Sequence, residues 1–88
     1  MRLYDEIENS FLLMERLFSE KDLLDFKNAY VSELYKYHFS IGLWIRNNLI
    51  YPEQSPLRLL FIDNGVENPD DMSSMIIQLF HYYISRSK

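Results

Sequence analysis

The feature that most limits how this chain can fold is its apolar spacing. Hydrophobic residues recur at every third or fourth position through one segment after another, and most segments open on a capping residue or a proline. Leu3, Ile7, Phe11, Met14 and Phe18 trace one helical face, which predicts a helix over about Leu3 to Leu17 with Asp5, Glu8, Glu15 and Arg16 on its polar side. Ser19-Glu20-Lys21-Asp22 reads as a capping-box-like start, because a serine hydroxyl can accept from a free backbone N–H one turn on. It predicts a second helix over about Glu20 to Ala29 carrying Leu23, Leu24 and Phe26.

Ser32 reads as the cap of a long central helix through Ile50, with Leu34, Tyr37, His38, Ile41, Trp44, Ile45 and Asn48 or Leu49 along its stripe. Gly42 inside that helix costs about 1 kcal/mol relative to alanine, a cost that makes sense if another helix crosses closely there. Pro52 and Pro56 force a loop between Tyr51 and Pro56. Ser55-Pro56 then supplies an N-cap and a first-turn proline for a fourth helix to about Ile62, which ends where Asn64 or Gly65 can take a left-handed conformation. Asn68-Pro69-Asp70-Asp71 opens the last helix, about Pro69 to Ser85, which buries Met72, Ile76, Leu79, Phe80 and Tyr83. No segment alternates with period two, and no hairpin turn separates β-branched runs. The expectation is an all-α, compact bundle of about five helices around one core, a single domain spanning 1–88.

Composition supports that core. The 88 residues are 48% hydrophobic and 16% aromatic, so large rings can close a small interior, which argues against disorder. Cysteine is absent, which removes disulfides, thiolate zinc sites and cysteine nucleophiles and fits a reducing compartment. No apolar stretch is long enough to span a bilayer and Met1 to Ile7 has no signal-peptide character, so a cytoplasmic protein with no membrane association is expected.

Net charge is −4, and its placement is informative. Up to Glu33, eight acids (Asp5, Glu6, Glu8, Glu15, Glu20, Asp22, Asp25, Glu33) face four bases (Arg2, Arg16, Lys21, Lys27). The remainder is balanced. An acidic first third argues against nucleic acid as partner and suits a basic protein; the plainer reading is a solvated surface that serves solubility.

Catalytic patterns are missing. His38 and His81 fall in no H-x-x-x-H, H-E-x-x-H or E-x-x-H spacing, and both read as hydrogen-bonded structural histidines. Asp70 and Asp71 could hold magnesium or act as acid and base, but helix capping explains them more simply. Gly42 and Gly65 are too isolated to cradle a phosphate. No cofactor, metal or catalytic residue is expected. Arg46, Asn47 and Asn48 read as structural: the asparagines as local amide hydrogen bonds, Arg46 as the partner of Asp70 or Asp71. Tyr30, Tyr35, Tyr51 and Tyr82 lie off the apolar stripes, where exposed tyrosine beside acids suits an interface.

His38-Phe39, Gly42-x-Trp44-Ile45-Arg46-Asn47-Asn48 and Pro69-Asp70-Asp71-Met72-Ser73-Ser74 together resemble a bacterial family of small domains whose function is not established. Its pattern is H-F-x-x-G-x-W-I-R-N-N followed by H-P-D-D-M-S, and the match runs from about Ser19 to Tyr83. This chain has Asn68 where the family has histidine, and its Tyr51 to Pro56 loop differs. The resemblance implies an α-helical fold but carries over no catalytic role. In size, charge and class the chain also looks like the immunity proteins of contact-dependent growth-inhibition and polymorphic toxin systems.

These readings give a first expectation of a non-enzymatic immunity or antitoxin-like protein, monomeric or weakly dimeric, that binds a cognate toxin such as a nuclease. Glu8, Glu15, Asp22 and Asp25 would form its binding face, with Tyr30 and Tyr35 as anchors. An accessory or regulatory helical interaction domain, packing through the apolar surface of the last helix, is the alternative. A metal-dependent enzyme using His38, Asp70, Asp71 and His81 stands third.

Overall fold

A computed structural model describes residues 2–87. The segments are α1 (Leu3–Asn9), α2 (Phe11–Glu15), α3 (Glu20–Asn28), a 3-10 helix (Val31–Tyr37), α4 (Ile41–Ile45), a π-helical turn (Arg46–Ile50), α5 (Pro56–Asp63) and α6 (Pro69–Ser87). The all-helical expectation holds, with no strand among the described residues, but there are six α-helices rather than about five.

The difference has local causes. The first predicted helix is broken at Ser10, which is buried and turns its hydroxyl onto the Ile7 carbonyl at 2.6 Å while its own N–H reaches the same oxygen at 3.0 Å. A serine that satisfies itself against the preceding turn competes with the helical ladder, and here it splits α1 from α2. The predicted central helix divides in three. Ser32 is not its cap: Tyr30 stands at the N-cap, and Glu33 reaches back so that its Oε1 accepts from the Tyr30 N–H at 3.1 Å. The 3-10 segment then ends in a turn through Ser40, whose φ of −107° and ψ of −95° lie outside the helical region.

Other boundaries follow the sequence chemistry. Ser19 accepts from the Asp22 N–H at 3.1 Å, and Ser55 accepts from the Arg58 N–H at 3.1 Å behind the first-turn Pro56. Gly65, at φ +86°, closes α5 in a Schellman arrangement: its N–H bonds Ile62 O and the Val66 N–H bonds Phe61 O at 2.9 Å. Asn68 Oδ1 accepts from the Asp70 N–H at 2.8 Å to open α6.

The long α6 packs against α3, the 3-10 helix, α4 and the π turn, while α1 packs on α5. Its inner face places Met72, Ile76, Ile77, Phe80 and Ile84 in a cluster with Ile7, Phe11, Met14, Phe26, Ile45 and Phe61. At the centre, Phe80 lies 5.4 Å from the Phe26 ring, 5.6 Å from Phe11 and 6.1 Å from Phe18. No described buried side-chain nitrogen or oxygen lacks a hydrogen-bond partner. No described helix is long and apolar enough to cross a membrane.

Candidate functional site

Two places concentrate polar chemistry. The first is built around Arg46, which the π turn directs inward. A π turn shifts the ladder from i→i−4 to i→i−5, so Tyr51 N–H bonds Arg46 O at 2.8 Å. The Asn48 side-chain amide donates to Trp44 O at 2.9 Å, which ties that side chain into the helix rather than into the loop that follows. Asn47 is exposed. Arg46 itself is only 5% exposed, and its guanidinium is surrounded by partners. Nη1 donates to Ser73 Oγ at 2.9 Å and Nη2 to His38 O at 3.1 Å, while Nε lies 3.6 Å from Asp70 Oδ1. The Arg46 pairing expected with Asp70 or Asp71 is therefore made with Asp70; Asp71 is exposed in the first turn of α6.

Nη1 also approaches His38 Nδ1 at 3.4 Å. Because arginine only donates, Nδ1 is the accepting nitrogen, and Nε2 carries the hydrogen 3.9 Å from Asp70 Oδ1. Ser73 in turn donates to Asp70 O at 3.0 Å. The buried guanidinium is thus held from two sides, as in a brace between α4 and the start of α6, with the Asp70 carboxylate at its exposed rim. His81 lies elsewhere, with Nε2 donating to Ala29 O at 2.9 Å. Among the described residues no three His, Cys, Asp or Glu side chains gather as a metal ion would need.

The brace also explains Gly42. A Cβ there would stand 3.2 Å from Arg46 Nη1, 3.2 Å from Tyr37 O and 3.5 Å from Ile77 Cδ1 of α6. The neighbouring helix is in ordinary contact, and the tighter limits come from the guanidinium and a backbone oxygen. Gly42→Ala should therefore destabilise by about 1 kcal/mol, against the gain of similar size that helix propensity alone would give. Urea unfolding reads the sign directly, and a higher midpoint for Gly42→Ala would show that the guanidinium is free to move.

The second place is a cleft of about 400 Å³ between the α2–α3 turn, α3 and α4, lined by Leu17, Phe18, Asp22, Asp25, Tyr37, Ser40, Ile41 and Trp44. Asp22 and Asp25 are one turn apart on α3, which brings them to the same face. Among the described residues neither carboxylate has a cationic partner. Burial first, and then the negative field of Asp25, pushes the Tyr37 phenol above its ordinary range. In an adjoining hollow that shares Asp25 and Tyr37 with the cleft, Glu33 pairs with Lys36 at 3.1 Å; the Tyr30 N–H and that lysine hold its carboxyl below the usual range.

Of the expected binding residues, the cleft unites only Asp22 and Asp25. Glu8 is exposed on α1, and Glu15 is half-buried and engaged within the chain. Tyr30 and Tyr35 are 76% and 74% exposed, and Tyr35 borders a separate hollow with Val31, His38, Ser74 and Gln78.

A family model described as a domain of unknown function, DUF6794, matches residues 5–84. The chain belongs to this family. No curated protein and no solved structure matches it. Within this DUF6794 chain, the residues that sequence reasoning left out are Ser73 and His38 as partners of Arg46, Tyr37 and Trp44 as cleft walls, and Phe39. Phe39 is 83% exposed, with its ring edge-on to His38 at a 4.6 Å centroid distance. Its signal was available: an aromatic beside the histidine, off the apolar stripe.

Proposed function

We propose that this domain is a binding module that captures a basic protein through the acidic surface of its first third, and that it neutralises a cognate bacterial toxin as immunity and antitoxin proteins do. The observation that carries the reading is the pair Asp22 and Asp25, two carboxylates on one helical face with no cationic partner among the described residues, at the side of an aromatic cleft. Asp22 lies in the first turn of α3, where the helix N-terminus favours a carboxylate, but like charges one turn apart repel and no cation among the described residues offsets that repulsion. A basic partner reverses that sign, and its long-range attraction speeds encounter. A nuclease is the toxin class that suits such a surface, since a groove that holds phosphates carries positive charge. Exposed Glu8 adds to the negative charge of the first third, and Tyr30 and Tyr35 offer rigid aromatic contact area.

The test is growth rescue. Cells expressing a toxic product of an adjacent gene should recover when this chain is co-expressed, and the two proteins should copurify. Absence of a toxin gene beside this one, or of rescue by it, removes the neutralisation reading.

One observation favours the alternative of a helical interaction domain that packs through its last helix. Val31, Met75, Gln78, Leu79, His81, Tyr82 and Ser85 line an open, mostly apolar hollow of about 500 Å³, and Val31 and Gln78 also border the hollow beside Tyr35. Sedimentation across a concentration series separates the two: a stable homodimer supports the alternative, a monomer the binding module.

A further inference from the structure

The cleft beside Asp22 and Asp25 combines three kinds of surface. Its buried and half-buried members, Ile41, Phe18, Tyr37 and Trp44, are apolar or aromatic, and its exposed members include Leu17 and the two carboxylates. Among the described residues, neither the Trp44 indole N–H nor the Tyr37 hydroxyl has a hydrogen-bond partner. A volume of about 400 Å³ is ample for one long side chain. A purely apolar ligand would leave two carboxylates facing it uncompensated, and a small inorganic cation would leave the aromatic walls unused.

We propose that this cleft receives an arginine side chain of the protein partner, with its guanidinium between Asp22 and Asp25 and its stem and planar face against Tyr37 and Trp44. Guanidinium fits because it offers several donors in one plane, stacks on aromatic rings and is weakly hydrated, whereas an ammonium is a compact and strongly hydrated point charge. The proposal rests on the reading that the domain binds a basic protein, and it adds which group that protein inserts and where.

Trp44 is the single tryptophan of the chain, so its fluorescence reports on the cleft. The probe is a capped tetrapeptide of alternating leucine and arginine, titrated at low ionic strength, where exposed charges are least screened. Trp44 emission should change saturably, and the lysine counterpart should bind more weakly. Asp22→Asn/Asp25→Asn should weaken binding about tenfold or more, while Asp63→Asn/Glu67→Gln, which removes the same charge from exposed positions at the end of α5 and in the loop after it, should change it less than about twofold. Unchanged far-UV circular dichroism verifies both variants, with Asp25→Asn alone serving if the first double variant does not fold.

Four results would overturn the proposal: no response of the parent protein, equal weakening in both double variants, an equal response to a leucine–serine peptide, or the same emission change on concentrating the protein alone. The first two remove the cleft as a charge-selective site, the third makes its occupant apolar, and the fourth makes it a second copy. Growth rescue separates this proposal from the reading beneath it. If Asp22→Asn/Asp25→Asn neutralises the toxin as well as the parent does, the arginine site fails and the binding module stands. Peptide binding without rescue leaves the cleft and removes the toxin.

Discussion

Phe80→Ala is expected to cost about 3–5 kcal/mol, the usual range for deleting a buried phenylalanine ring. Phe80 is fully buried and is the hub of the aromatic cluster, with Phe11, Phe18 and Phe26 all within 6.1 Å of its ring centre. Those three rings come from α2, the α2–α3 turn and α3, so one deletion opens a cavity where three segments meet on α6. A chain of this size has a total stability of about 4–13 kcal/mol, and the loss would consume much or all of it. Urea unfolding followed by circular dichroism should show a sharply lowered midpoint or no folded baseline. Leu24→Ala, at an exposed position on α3, is the matched control and should stay within about 0.5 kcal/mol of the parent. Equal effects at the two positions would mean that the interior is not organised around Phe80.

The helix starts at Ser19, Ser55 and Asn68 were readable because capping is local: a short polar side chain meets a free N–H two or three residues on, and no distant part of the chain is involved. The Gly65 stop was readable for the same reason, since only its positive φ is required. Ser10 was not. Its hydroxyl turns back on Ile7 because the core surrounds it, and the same serine facing solvent would leave an amphipathic helix intact. The 3-10 and π segments were hidden as well, because apolar residues three to four apart fit a 3-10, an α or a π turn about equally over a few residues.

The candidate site divides along similar lines. Arg46 and Asp70 could be paired from the sequence, since a cation beside a core tryptophan needs an anion and the start of the last helix supplies one. Ser73 and His38 could not: Ser73 reaches Arg46 only through the packing of α6 on α4 and the π turn, and His38 only through the turn between the 3-10 helix and α4, where the sequence reads as one continuous helix. The cleft shows a different limit. Tyr37 and Trp44 were assigned to the core stripe, and each does pack against the core. Each is half-buried, however, and its other side lines the cleft. Periodicity gives a large ring one side, and a ring has two.

Arg46→Ala should cost about 2–4 kcal/mol, because it strips donors from Ser73 Oγ and His38 O in a place where water does not replace them and leaves a cavity between α4 and α6. For a domain of this size each kcal/mol shifts the melting temperature by about 4–8 °C, so the drop should be at least about 8 °C. Two further variants decide which part of the interaction matters. Asp70 is 62% exposed and sits 3.6 Å from Nε, so Asp70→Asn should cost no more than about 1 kcal/mol if the ion pair behaves as a surface pair does. Arg46→Lys keeps the charge but cannot address Ser73, His38 and Asp70 at once from a single point, and should recover less than half of the loss. If Asp70→Asn proves as damaging as Arg46→Ala, charge rather than hydrogen-bond geometry holds the brace. If Arg46→Lys is as stable as the parent, the fork of donors is dispensable, and the reason for an arginine in the interior must then be sought in what the domain binds.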